Sequence, residues 1–296
     1  MRSASFAVAS HVFLALTLLA QSGSGDRVAS TEWLARHLAD DNLVLLESGW
    51  TRGNYKAEHI RGARFLWLNG FTQGTPDLST ELPDPEKAAS MLRDLGITES
   101  SQIVIYFEGE NVTPTARMIL TFDYLGLGNR VSYLDGGLEA WKREGRPLTK
   151  EIPKSVQGTY TLQTHPEFIA DAAWVKAHLN APDVTIIDAR APRYYEGNGG
   201  GMPRPGHIPG AVNIPYSSVV DSSNLLLSRE TLKELFEKAG VKPGSKVVTY
   251  CHVGQQASLL YFVARYLGYN ACVYDGSFQE WSSNEDLPIE NPSVEK

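Results

Sequence analysis

Five blocks of sequence in the first half of the chain return in the same order in the second. Trp33-Leu34-x-x-His37-Leu38 is answered by Trp174-Val175-x-x-His178-Leu179, and LVLLE ending at Glu47 by VTIID ending at Asp188. His59-Ile60-Arg61-Gly62-Ala63 returns as His207-Ile208-Pro209-Gly210-Ala211, LGITESSQIVIY as AGVKPGSKVVTY, and YLDGGLEAW as VYDGSFQEW. A period near half the chain means that each half builds the same unit around its own core, and 296 residues suffice for two such domains. IVIY and VVTY are unbroken apolar runs, the pattern of parallel strands covered on both faces by helices. Each copy reads as helix, strand, loop, strand, helix, strand, loop, helix and last strand. That is an α/β class with one helix-flanked parallel sheet per domain.

The boundaries follow from composition. Arg2, the apolar run Val12–Ala20 and the small-residue stretch QSGSG read as an export signal over residues 1–25, with a cut after Ala20 or around Ser24 or Gly25 left as alternatives. The run is far short of the roughly 20 apolar residues that a spanning helix needs. The first domain is expected over residues 26–146, a Pro-, Lys- and Thr-containing linker over 147–160 and the second domain over 161–296. The product is expected to be exported, periplasmic or secreted, with no membrane association once the signal is removed. A formal net charge of -7 with no long Lys/Arg block argues against nucleic acid or an anionic membrane as partner. An anionic substrate must then be drawn by local groups.

One loop can carry chemistry. The strand Lys246–Tyr250 runs directly into Cys251-His252-Val253-Gly254-Gln255-Gln256 and then into a helical pattern. A cysteine is thus placed at the carboxyl end of a parallel strand, the edge where open α/β sheets bind ligands, and at the mouth of a helix whose free N–H groups favour an anion. A thiol there is expected to have a lowered pKa and to react as the thiolate. Gly254 lets the backbone curl so that successive N–H groups point inward. Cys251 and Cys272 are the only cysteines of the chain. They fall at opposite ends of neighbouring strands, some five residues or about 15 Å apart, too far for a disulfide.

The order Asp188-Ala189-Arg190, then His207-Ile208-Pro209-Gly210-Ala211, then Tyr250-Cys251-x-x-Gly254-x-x-Ala257-Ser258, then Tyr274-Asp275-Gly276 with Trp281 resembles the catalytic domain of rhodaneses. The likeness to this family of thiosulfate and 3-mercaptopyruvate sulfurtransferases covers nearly all of the second half, and a degenerate form covers the first. It implies two tandem rhodanese-like domains and an active loop, Cys251 to Gln256, whose backbone amides cradle a cysteine persulfide. Sulfane sulfur would pass from a small anionic donor, thiosulfate, to Cys251 and on to a thiophilic acceptor such as cyanide or a thiol, with no cofactor. Arg193 matches the family's donor-binding arginine. His252, Val253, Gly254, Gln255, Gln256 and Asp188 complete the substrate-binding set, and a charged His252 would favour a sulfonate-type donor. Arg190 is expected to make an ion pair or hydrogen bond at the strand end, and Arg204, in the Gly-rich insertion, is a lesser candidate for donor contact.

The family pattern is incomplete here. Phe107 stands where the cysteine would be in the first copy, flanked by Glu108 and Glu110, so that domain is expected to be catalytically empty. His252-Val253 matches neither the basic pair of thiosulfate-using members nor the small pair of mercaptopyruvate-using ones, which keeps 3-mercaptopyruvate open as donor. A sulfur carrier or binding module without turnover also stays open. A cysteine phosphatase would need an arginine at position 257, where this chain has Ala257. No Cys or His cluster has metal-ligand spacing, and the paired His37/His178 and His59/His207 read as structural.

Overall fold

The two halves build the same sheet. In this computed structural model, which describes residues 27–109, 111–154 and 156–294, the first sheet runs Val28–Ala29, Val131–Leu134, Gln102–Phe107, Leu43–Gly49, Arg64–Trp67 in spatial order. The second runs Ile169–Ala170, Asn270–Tyr274, Lys246–Tyr250, Val184–Asp188, Val212–Asn213. Both are parallel throughout, and the register is shared, since Glu47 lies opposite Tyr106 as Asp188 lies opposite Tyr250. The α/β class with two tandem parallel-sheet domains therefore holds. The segment expected to be an export signal lies outside the described residues. No described helix is long and apolar enough to cross a membrane.

Two details differ from the sequence reading. Each copy opens with a two-residue edge strand, Val28–Ala29 or Ile169–Ala170, which pairs with the strand near the domain's end. The blocks YLDGGLEAW and VYDGSFQEW also continue past their strands into helices, Gly137–Arg143 and Ser277–Ser283. The strap between the domains is not uniformly free, because Leu148–Thr149 pairs antiparallel with His59–Ile60 and Tyr160 is buried against the first domain.

The repeated residues repeat their contacts. Trp33 stacks on His37 and Trp174 on His178, and each histidine Nδ1 meets the carbonyl of the tryptophan four residues before it, at 2.7 and 2.8 Å. Tyr55 and Tyr195 stack on His59 and His207 in the same way. The Trp141 and Trp281 indoles donate to the carbonyls of Pro147 and Pro288. All four histidines are spent on holding turns and helix ends. The domains meet through one shared apolar core, with helix Thr113–Tyr124 of the first packed along helix Gln255–Leu267 of the second. Asp123 ties this seam by accepting from Arg27 and from the Tyr261 hydroxyl.

Candidate active site

The strand Lys246–Tyr250 is buried after its first residue and delivers Cys251, 1% exposed, to the carboxyl edge of the sheet. The chain then turns through Gly254, whose φ of 83° is left-handed, and enters helix Gln255–Leu267. A side chain at Gly254 would also crowd Arg117 Nη1 and the Asp275 carbonyl, at 3.0 and 3.1 Å from an added Cβ. This turn aims the backbone N–H groups of Val253, Gly254, Gln256 and Ala257 at Cys251 Sγ. Four amide dipoles converging on one buried atom form a seat for a sulfur anion.

The thiol itself departs from expectation. Burial pushes the Cys251 pKa up, and the four amide hydrogen bonds pull against that without overcoming it. The resting group is a desolvated thiol in a site shaped for its anion. His252 departs likewise: burial and the Arg190 charge push its imidazole down, so the loop carries no histidine charge at neutral pH.

The loop is held from beneath. Phe278 and Gln279 N–H donate to the carbonyls of Cys251 and His252, each at 2.9 Å, and Cys251 N–H donates to Ser277 Oγ. The start of helix Ser277–Ser283 is thus bound to the loop, a role for the Tyr274-Asp275-Gly276 motif that its sequence did not disclose. Asp275 accepts from buried Arg117 of the first domain and from Leu82 N–H at 3.0 Å.

Asp188 and Arg190 form a buried forked pair, with Arg190 Nη2 to Asp188 Oδ2 at 2.6 Å and Nε to Oδ1 at 3.0 Å. Tyr250 OH also donates to Asp188 Oδ2. Asp188 therefore spends both oxygens on Arg190 and Tyr250 and holds the arginine, in place of the substrate contact expected of it. Arg190 lies over the Phe278 ring, 4.0 Å from its centroid, and its charge is felt by Cys251. Pair and thiol belong to one electrostatic unit.

Arg193 is exposed at the mouth. It lies over the Tyr194 ring, 4.6 Å from the centroid, and Tyr194 meets His252 edge-on at 4.5 Å. Tyr194, unremarked in the sequence, links the arginine to the loop, and Gly199 explains part of the Gly-rich insertion, since a Cβ there would collide with that ring at 2.0 Å. Arg204 points elsewhere, donating to the carbonyls of Trp281, Ser282 and Leu287 at the end of helix Ser277–Ser283. Val253, Gln255 and Gln256 are half-buried around the loop, with the Gln256 side chain beside His252.

Cys272 pairs with Val248 in the middle of its strand, three residues short of Cys251. The along-strand offset is roughly 10 Å, less than the sequence reading gave but still too long for a bridge, and both thiols are free. Burial pushes Cys272 up to about 11. Among the described residues no group of three or more His, Cys, Asp or Glu could hold a metal.

Fold and site together define a duplicated α/β protein with one thiol held in a ring of main-chain amides. The chain matches the Rhodanese-like domain twice, over residues 30–144 and 171–284, and it belongs to that family. It is 33% identical over 258 residues to a thiosulfate sulfurtransferase of Azotobacter vinelandii, covering 87% of this chain and 94% of the relative. It is 32% identical to the sulfur carrier protein TtuD of Thermus thermophilus, covering 88% and 95%, and 29% identical to the 3-mercaptopyruvate sulfurtransferase of Escherichia coli, covering 88% and 96%. Among solved structures, an EanB variant in complex with ergothioneine superposes with a TM-score of 0.81 at 21% identity, covering 90% of this chain and 70% of that one, which bears on the fold. The relatives support sulfurtransferase activity for this chain.

Proposed function

We propose that the protein moves sulfane sulfur from thiosulfate to a thiophilic acceptor such as cyanide or a thiol through a persulfide on Cys251. The observation that carries this reading is the ring of four main-chain N–H groups around a buried Sγ. After the thiol gives its proton to solvent, the Cys251 thiolate attacks the outer sulfur of thiosulfate, the S–S bond of the donor breaks, and sulfite leaves with its electron pair. The acceptor then attacks the outer sulfur of the persulfide, and the Cys251 thiolate is released. The amides stabilise the thiolate and the persulfide anion at the same seat. Arg193 meets the donor at the mouth, and the guanidinium of the buried Asp188–Arg190 pair lies beside the loop.

A second donor has an observation in its favour. With His252 neutral, the loop lacks the charge that would favour a sulfonate, and the planar guanidinium of Arg193 at the mouth suits the carboxylate of 3-mercaptopyruvate. The named relatives include both donor types. A panel of both donors, assayed for sulfite and for pyruvate, decides between them. Intact mass after donor treatment should show one added sulfur, and one sulfur retained without turnover in the presence of cyanide or thiol would convert the reading to a carrier. Export is part of the proposal and is checked by fractionating cells that express the full chain.

A further inference from the structure

The loop that carries Cys251 is gripped by the other domain. Between residues 70 and 85 the first domain sends out an excursion closed on itself by Gln73 and Glu81, whose main chains exchange hydrogen bonds of 2.8 and 2.6 Å. Its returning limb touches the second domain at successive points. Ser79 N–H donates to Gln279 Oε1 at 3.1 Å, the Thr80 hydroxyl donates to the Val253 carbonyl, and Leu82 N–H donates to Asp275 Oδ2.

The middle contact reaches the chemistry. The Val253 carbonyl and the Gly254 N–H belong to one planar trans peptide, so they point in opposite directions. A peptide preceding a left-handed glycine can turn over between two turn forms at little steric cost, and Gly254 has φ of 83°. An anchor on the carbonyl therefore decides where the N–H points, and hydrogen bonding at the oxygen also polarises the N–H donor. We propose that Thr80 is a positioning residue of the sulfur cradle, its hydroxyl pinning the Val253–Gly254 peptide so that the Gly254 N–H stays aimed at Cys251 Sγ. The domain without a cysteine thus sets one of the four donors. This rests on Cys251 as the sulfur-bearing nucleophile, but its test needs no sulfur transfer.

The experiment compares the donor-free full chain with Thr80→Val, which keeps the shape and removes the hydroxyl, with Thr80→Ala, and with Thr80→Ser, which keeps the hydroxyl. The rate of Cys251 alkylation by iodoacetamide is followed against pH. Cys272, pushed up to about 11, stays silent near neutrality. Arg190, Asp188, His252, Arg193, Arg117 and Asp275 surround the loop, and Glu81, beside Thr80 on the first domain's limb and pushed up to about 7 by burial and by Asp275, titrates in the same window. All are the same in every variant, so the difference between profiles reports position 80. Thr80→Val and Thr80→Ala should shift the alkylation profile upward by about half a unit to one unit, the size of one weakened hydrogen bond to a charged group, and Thr80→Ser should follow the parent. In turnover, kcat should fall roughly three- to tenfold with donor KM within about twofold. Profiles that superimpose, or the same shift in Thr80→Ser, overturn the proposal. A parent Cys251 that titrates but never takes up sulfur overturns the proposed function and leaves the Thr80 result standing.

Discussion

In the second domain Asp188 is buried beside Arg190, and in the first Glu47 is buried beside Gly49. The surroundings are otherwise matched: Tyr106 OH donates to Glu47 as Tyr250 OH does to Asp188, and each tyrosine oxygen accepts from an isoleucine N–H, Ile60 or Ile208. Where Arg190 neutralises its acid, Glu47 has no cation at that place, and burial pushes it up to about 7. Glu108 compounds the difference. Its carboxylate lies so close over Gly49 that an added Cβ would be 2.6 Å from it, and it accepts from Trp50 N–H. The same scaffold thus places a compensated acid–arginine pair beside a thiol in one half, and in the other Glu47 and Glu108 with no arginine at position 49.

The comparison breaks most sharply at the thiol. Cys251→Ser should lower sulfur transfer by on the order of a thousand-fold or more and abolish the added sulfur mass. Phe107→Cys should take up no sulfur, because the Glu108 carboxylate stands beside it and no arginine stands at position 49; uptake at position 107 would show that charge is not what separates the halves.

The buried pair comes next. Arg190→Leu leaves Asp188 buried without its cation and should cost about 3–5 kcal/mol in denaturant unfolding. Adding Asp188→Asn should recover part of it. An Arg190→Leu protein as stable as the parent would remove the ion pair from the argument.

Glu47 tests the same idea with the opposite pH sense. Its folded pKa, about 7, lies above the ordinary value of 4.5, so the native state holds the extra proton between the two. Stability should therefore fall as pH rises through that window, by about 2–3 kcal/mol. Glu47→Gln should flatten the dependence, and an unchanged slope in urea midpoints from pH 5 to 8 would contradict the burial argument.

The smallest effect is expected at the mouth. Arg193→Ala should raise donor KM about tenfold with little change in kcat. Arg52, at the matching place in the first domain, lies over Phe65, and Arg52→Ala should leave donor KM where it was.

Much of this was legible in the residues, for identifiable reasons. Repeated blocks and unbroken apolar runs disclose two parallel sheets because burial on both faces leaves no polar alternation. A cysteine between a strand and a helix locates the loop because chain direction places it at the carboxyl edge. The edge strands Val28–Ala29 and Ile169–Ala170 escaped because two residues carry no periodicity. The raised thiol and the neutral His252 escaped because pKa follows desolvation by groups far apart in sequence. Thr80, Leu82 and Arg117 escaped for the same reason, since their partners lie more than 150 residues away. Tyr194 was overlooked because an aromatic beside an arginine looks like any loop pair until its ring meets His252.

The crossing of Leu82 to Asp275 has a counterpart: Leu226 N–H, from the second domain, donates to Asp135 of the first at 2.9 Å. Each half lends a limb to the other, as two subunits of a symmetric dimer do. That symmetry bears on biogenesis. The first half can collapse around its own sheet while the second is still being synthesised, but contacts between residues 193 positions apart close only after both are complete. The contacts of Thr80 and Leu82 with the second domain are therefore among the last to form, and until the limbs have crossed a nascent chain carries its cysteine without the first domain's grip on the loop.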